Sequence, residues 1–156
     1  MTIAVTGHRD IVIDEKLIRE VDYFLTKMAK KYAKTTLLCA LADGADQLVA
    51  RLALKHTNMN LEVPLPMNQE VYEKTLIHKD DFFSLLHEAT LTYVIPKDYE
   101  HPYENLGHYL ISNADVLLAL WDGTSNEKQG GTGDVVEYAK PQEMTIVHIF
   151  SQRKSQ

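Results

Sequence analysis

Apolar residues along this chain follow two rhythms. Short runs rich in them, at Thr2–Thr6, Thr36–Leu41, Asn60–Leu65, Leu91–Ile95, Val116–Trp121 and Thr145–Phe150, have the length of strands. Val116–Trp121 is almost unbroken, as expected of a strand covered on both faces. Between these runs, apolar side chains recur every three or four positions. Leu17, Val21, Phe24, Leu25 and Met28 form such a stripe behind Asp14, a good cap, and predict a helix to about Lys34. Ala45, Leu48, Val49 and Leu52 form another, with Asp43 as the expected cap and an end near Leu54. One or two helices are expected over Asn68–Ala89, broken near Ile77–Lys79. Further helices are expected over Asn105–Asn113 and from about Thr132 to Ala139, where Pro141 stops the last one.

Strands alternating with helices imply parallel strands joined by right-handed crossovers. The expected fold is α/β: a three-layer, doubly wound, mainly parallel Rossmann-like sheet. Residues 1–150 read as a single domain and 151–156 as a loose C-terminal tail. In such folds ligands bind outside the carboxyl ends of the strands, near the point where strand order reverses. The chain's unusual polar residues collect there. Gly7, His8, Arg9 and Asp10 follow the first strand, and Asp43, Gly44 and Asp46 the second. Pro66, Met67 and Asn68 follow the third, and Lys97, Asp98 and Tyr99 the fourth. Asp122 and Gly123 follow the fifth and lead into a glycine-bearing loop.

That loop carries Gly130, Gly131, Thr132 and Gly133 at the start of a helix. Missing side chains and the positive end of a helix dipole favour an anion, most often phosphate. Glu137, one turn on, has three readings: a general base or stabiliser of a sugar cation, an acceptor for ribose hydroxyls, or a solvated helix glutamate. Arg9 suits paired hydrogen bonds to phosphate, or else a salt bridge to Asp10 or Asp43. His8 is a donor to a ligand or an idle loop histidine. Asp46 serves the helix dipole, or orients Arg9 or a sugar hydroxyl. Trp121 is a pocket wall or a core residue, and Tyr99 and Tyr103 are further candidates for lining a pocket. The candidate ligand-binding set is thus Gly7, His8, Arg9, Gly44, Asp46, Asp122, Gly123, Gly130, Gly131, Thr132 and Gly133. Glu137 and Arg9 are the catalytic candidates if chemistry follows binding.

Composition narrows the function classes. A net charge of −6 argues against a nucleic-acid backbone as the main partner, while leaving room for a small basic pocket. Cys39 is the only cysteine, within an apolar run, and reads as a buried inert thiol. The seven histidines have no metal-ligand spacing, so neither a metal nor another cofactor is called for. No segment approaches the roughly 20 apolar residues that span a bilayer, and no signal-peptide pattern opens the chain, so a cytoplasmic location is expected.

Two stretches resemble a known superfamily. Gly130-Gly131-Thr132-Gly133-Asp134-Val135-Val136-Glu137 is similar to the Lonely-guy phosphoribohydrolase signature: two glycines, any residue, then Gly-Thr and a glutamate three residues later. Leu41-Ala42-Asp43-Gly44-Ala45-Asp46, followed by Ala50 and Ala53-Leu54, resembles a stretch of DNA-processing protein A. The resemblance, to the SLOG-like Rossmann superfamily joining these two, covers about Ile3 to Phe150. It implies phosphate binding by Gly130, Gly131 and Gly133, and Glu137 at the ribose or glycosidic bond. Asp134 replaces the signature threonine, and Tyr72–Asp81 holds lysines where Lonely-guy proteins carry an arginine-bearing motif. The resemblance is compatible with a homodimer paired through helices, though no unmatched apolar helix face argues for one. The expected function is binding of a nucleotide-like small molecule, as a sensor. The alternatives are hydrolysis of nucleoside 5′-monophosphates and a protein-interaction module with a vestigial pocket.

Overall fold

In the computed structural model, which describes residues 1–96, 98–125 and 130–154, the two rhythms become alternating strands and helices. In chain order these are β1 (Thr2–Gly7), α1 (Glu15–Lys31), β2 (Thr35–Leu38), α2 (Ala45–Ala53), β3 (Met59–Leu65), α3 (Gln69–Glu73) and α4 (Lys79–Glu88). Then come β4 (Leu91–Val94), α5 (Pro102–Ser112), β5 (Val116–Trp121), α6 (Thr132–Ala139) and β6 (Thr145–Phe150). The strands form one sheet in the order β4-β3-β2-β1-β5-β6, every neighbouring pair parallel. The chain steps outward from β1 to β4, returns, and steps out the other way through β5 and β6. Right-handed crossovers then put α1, α2 and α4 on one face, where they touch in succession, and α5 against α6 on the other. Ile3, Leu37, Leu61, Leu117 and Leu118 fill the core between the layers. All six residues of β5 are buried, whereas the edge strands β4 and β6 keep several side chains in water.

Where boundaries differ from expectation, a local cause is visible. β2 ends at Leu38 although its apolar run continues; Cys39 N–H still donates to Glu62 O (3.0 Å), and the buried Leu41 beyond it adopts a left-handed backbone (φ 60°). Asp14 does cap α1, accepting the Leu17 N–H at 2.9 Å. Asp43 does not cap α2. Gly44 takes that position, and the Asp43 carboxylate crosses to the chain ahead of α4, accepting the N–H groups of Ile77 (2.9 Å) and His78 (2.8 Å). α5 starts at Pro102, whose fixed φ suits a first helical turn.

The first part of the C-terminal tail is not loose. Arg153 forms an antiparallel bridge with Ile11, and its guanidinium grips the Asp10 carboxylate through Nε (3.0 Å) and Nη2 (3.1 Å). Ser155 and Gln156 lie outside the described residues, as do Lys97 and residues 126–129 of the glycine-bearing loop.

Candidate functional site

Strand order reverses between β1 and β5, so the crevice beyond their carboxyl ends is where a ligand is expected. His8 and Asp122 leave those two strands and meet across it. His8, 4% exposed, lies with Nε2 at 3.2 Å from Asp122 Oδ1 and 3.3 Å from the Asp122 backbone nitrogen. Protonated, Nε2 donates to the carboxylate; unprotonated, it accepts the backbone N–H. Burial alone would raise the Asp122 carboxyl, but hydrogen bonds from the Thr124 N–H (3.0 Å), the Thr124 hydroxyl (2.8 Å) and His8 outweigh it and hold the group below its ordinary range. Gly123, with φ +87°, turns the chain here and has open space where a Cβ would stand.

Arg9 follows directly on β1 and reaches over the ends of the neighbouring strands. Its Nη1 donates to Thr75 O (3.1 Å) and Thr75 Oγ1 (3.3 Å). The guanidinium carbon lies 5.9 Å from the Tyr72 ring centroid and 5.7 Å from that of Tyr103. Two aromatic faces and a fixed hydrogen bond hold this cation in one pose at low entropic cost. Neither expected carboxylate is its partner, since Asp10 binds Arg153 and Asp43 binds backbone.

The loop from β2 to α2 packs beneath. Gly44 has φ +76°, and a Cβ there would stand 2.4 Å from Arg9 O and 2.8 Å from His8 O. Glycine is thus required at this position by two neighbouring carbonyls, and Ala45 N–H donates to His8 O at 3.2 Å. Asp46, 7% exposed, accepts the Ala42 N–H at 3.1 Å. Burial raises its carboxyl to about 7, against the lowering effects of that hydrogen bond and of the Arg9 charge. Asp46 therefore titrates near neutrality within electrostatic reach of Arg9. Cys39 is fully buried, its thiol pushed up by burial and by Asp46.

The glycine loop approaches from the other side. Gly130 (φ +83°) presses on the backbone of Tyr103 and Glu104, 2.6 Å from Glu104 N at its would-be Cβ. Tyr103 therefore carries Arg9 against its ring and Gly130 against its backbone, which joins the two halves of the site. Asp134, where the resembling signature has threonine, accepts the Gly130 N–H at 2.9 Å. One loop amide thus already has an anionic partner. Gly131 precedes the first turn of α6, where Thr132 and Gly133 are buried. Glu137 lies on the outer side of α6, its side chain 57% exposed and paired with Lys140 Nζ at 2.7 Å.

The sequence pattern missed Tyr72 and Thr75, which hold Arg9. Tyr72 is buried in α3, where its ring packs edge-on to Phe82, so hydropathy marks it as core. Trp121 is a core residue whose Nε1 donates to Thr124 O at 2.8 Å, and Tyr99 stands in solvent. Among the described residues no cluster of three metal-ligating side chains forms, and no helix is long and apolar enough to cross a membrane.

No protein-family model matches the sequence, and no curated protein does either. Solved structures do match the fold. DNA processing protein A from Helicobacter pylori, described for its single-stranded DNA binding mode, is 11% identical with a TM-score of 0.57, covering 94% of this chain and 74% of its own. The Moco carrier protein from Chlamydomonas reinhardtii is 15% identical with a TM-score of 0.58, covering 95% of this chain and 75% of its own. At these identities the likeness concerns the fold, which is the Rossmann-like one the sequence resemblance implied.

Proposed function

We propose that this chain binds a nucleotide or nucleotide-derived phosphorylated ligand along the carboxyl edge of its sheet, as a sensor and not as a hydrolase. The observation that supports this most is Arg9, an exposed guanidinium clamped between Tyr72 and Tyr103 beside the strand-order switch. A held arginine suits a phosphate, and the partly exposed Tyr103 suits a base or sugar face. The start of α6 supplies a second anion-favouring element, with Thr132 available as a hydroxyl donor. Two fold neighbours are named for binding single-stranded DNA and for carrying Moco, which favours a binding role.

Binding is favoured over N-glycosidic hydrolysis because Glu137 is solvated and ion-paired, an ordinary surface arrangement for a carboxylate. The test is a thermal-shift screen with nucleoside monophosphates, ADP-ribose, cyclic nucleotides, ribose 5-phosphate and a short single-stranded oligonucleotide. A ligand at 100 times its dissociation constant stabilises by about 2.7 kcal/mol and raises Tm by several degrees. That shift is expected for a mononucleotide-sized ligand and is expected to vanish in Arg9→Ala. Silence across the panel overturns the reading. Base release from a monophosphate, lost in Glu137→Gln, establishes the hydrolase instead.

A further inference from the structure

A second feature lies away from this edge. Among the described residues β6 ends the sheet, and its outer peptide edge faces no neighbouring strand. Beside it runs a groove of about 480 Å³ between α1 and the strand, its floor formed by Val147 and Ile149. Phe24 forms one wall, and Tyr23, 73% exposed, stands over it. Lys16, Arg19 and Lys27 project along the rim, against one acid, Glu20. In a chain of net charge −6 this basic, apolar strip is out of character. The pairs that α1 makes internally are weak ones: Lys16 to Glu20 at 3.9 Å and Arg19 to Glu15 at 3.7 Å, all solvent-exposed. An incoming carboxylate therefore displaces little when it takes these cations.

We infer that this groove is a docking site for an acidic, extended segment of a partner protein, which adds a strand to β6. Alternate side chains of such a segment fall on one face. Its apolar residues cover Val147 and Ile149 beneath Tyr23, and its carboxylates meet Lys16, Arg19 and Lys27. Main-chain hydrogen bonds to β6 give affinity, and the basic rim gives selectivity for an acidic sequence and a salt-dependent association rate.

The test is fluorescence anisotropy with a short fluorescein-labelled peptide alternating glutamate and valine, against a control alternating lysine and valine. Saturable binding of the acidic peptide is expected, weakened about tenfold or more by Arg19→Glu with Lys27→Glu. Tyr23→Ala tests the apolar half. All three side chains are solvent-exposed, so circular dichroism should find these variants folded. Amide shifts on titration are expected at Val147 and Ile149. No saturable binding, equal binding of the basic control, or indifference to charge reversal overturns the proposal. A concentration-dependent dimer dissolved by the same charge reversal also overturns it, assigning the groove to a second copy of the chain.

Discussion

The two halves of the sheet's carboxyl edge are built differently. On one side, the loops after β1 and β2 interlock: Gly44 fits under two carbonyls, and His8, Asp43 and Asp46 are buried polar groups with partners. On the other, the turn into α6 keeps Asp134 and Glu137 in water, and its carboxylates serve local contacts. The more conspicuous sequence motif belongs to the half whose carboxylates stay exposed. A glycine-rich signature marks where side chains are absent, whereas rigid placement of a functional group depends on buried neighbours that no short pattern displays. Arg9 gains its pose from Tyr72 and Thr75, far from it in sequence.

This contrast breaks most sharply at the glycines. Gly44→Val should destabilise the fold by about 2–5 kcal/mol, combining left-handed strain with a backbone clash. Gly123→Ala, with similar φ but open space, should lose only about 1–2 kcal/mol. Equal losses in urea unfolding would mean that Gly44 is not specially packed. Next in size is pH. Asp46 has an ordinary unfolded value but titrates near 7 when folded, so the native state keeps a proton that the unfolded chain has released. Its contribution is full below about pH 4, falls as pH rises to about 7, and is flat above. Asp46→Asn keeps an acceptor for Ala42. It should flatten that slope and gain on the order of a few kcal/mol over the parent at pH 8, read from denaturation at several pH values.

A smaller effect is expected on the ligand. Arg9→Lys retains the charge but loses the planar contacts with Tyr72 and Tyr103, and should weaken phosphate-ligand binding about tenfold by calorimetry. The smallest belongs to α6. Glu137→Gln removes an exposed pair with Lys140 and should change stability by less than about 0.5 kcal/mol, leaving ligand affinity unaltered. A large loss of affinity there would erase the distinction between the two halves.

Much of the fold was legible because apolar runs of strand length alternate with helical stripes along the chain. Val116–Trp121, Thr132–Ala139 and Thr145–Phe150 stand where the pattern predicts them. The early stop of β2 was not legible, since Cys39, Ala40 and Leu41 are as apolar as the strand before them. For the candidate site, the polar residues after each strand do gather at one edge of the sheet, and His8 and Asp122 meet there. The part of Asp43 was misread because a capping residue and a long-range acceptor look alike in sequence. Tyr72 was hidden because a buried aromatic on a short helix has the pattern of any core residue.

One consequence of the strand order concerns synthesis. β1 is made first yet sits in the middle of the sheet, its second neighbour β5 arriving only at Val116–Trp121. Between the completion of β2 and that of β5 the ribosome adds residues for roughly 4–16 s at typical elongation rates. Throughout that interval the nascent chain carries a naked apolar strand edge, a template for wrong pairing. Contacts such as His8 with Asp122, 114 positions apart, form only afterwards. The candidate site therefore matures late, and a chain arrested before β5 would lack it and be prone to aggregate.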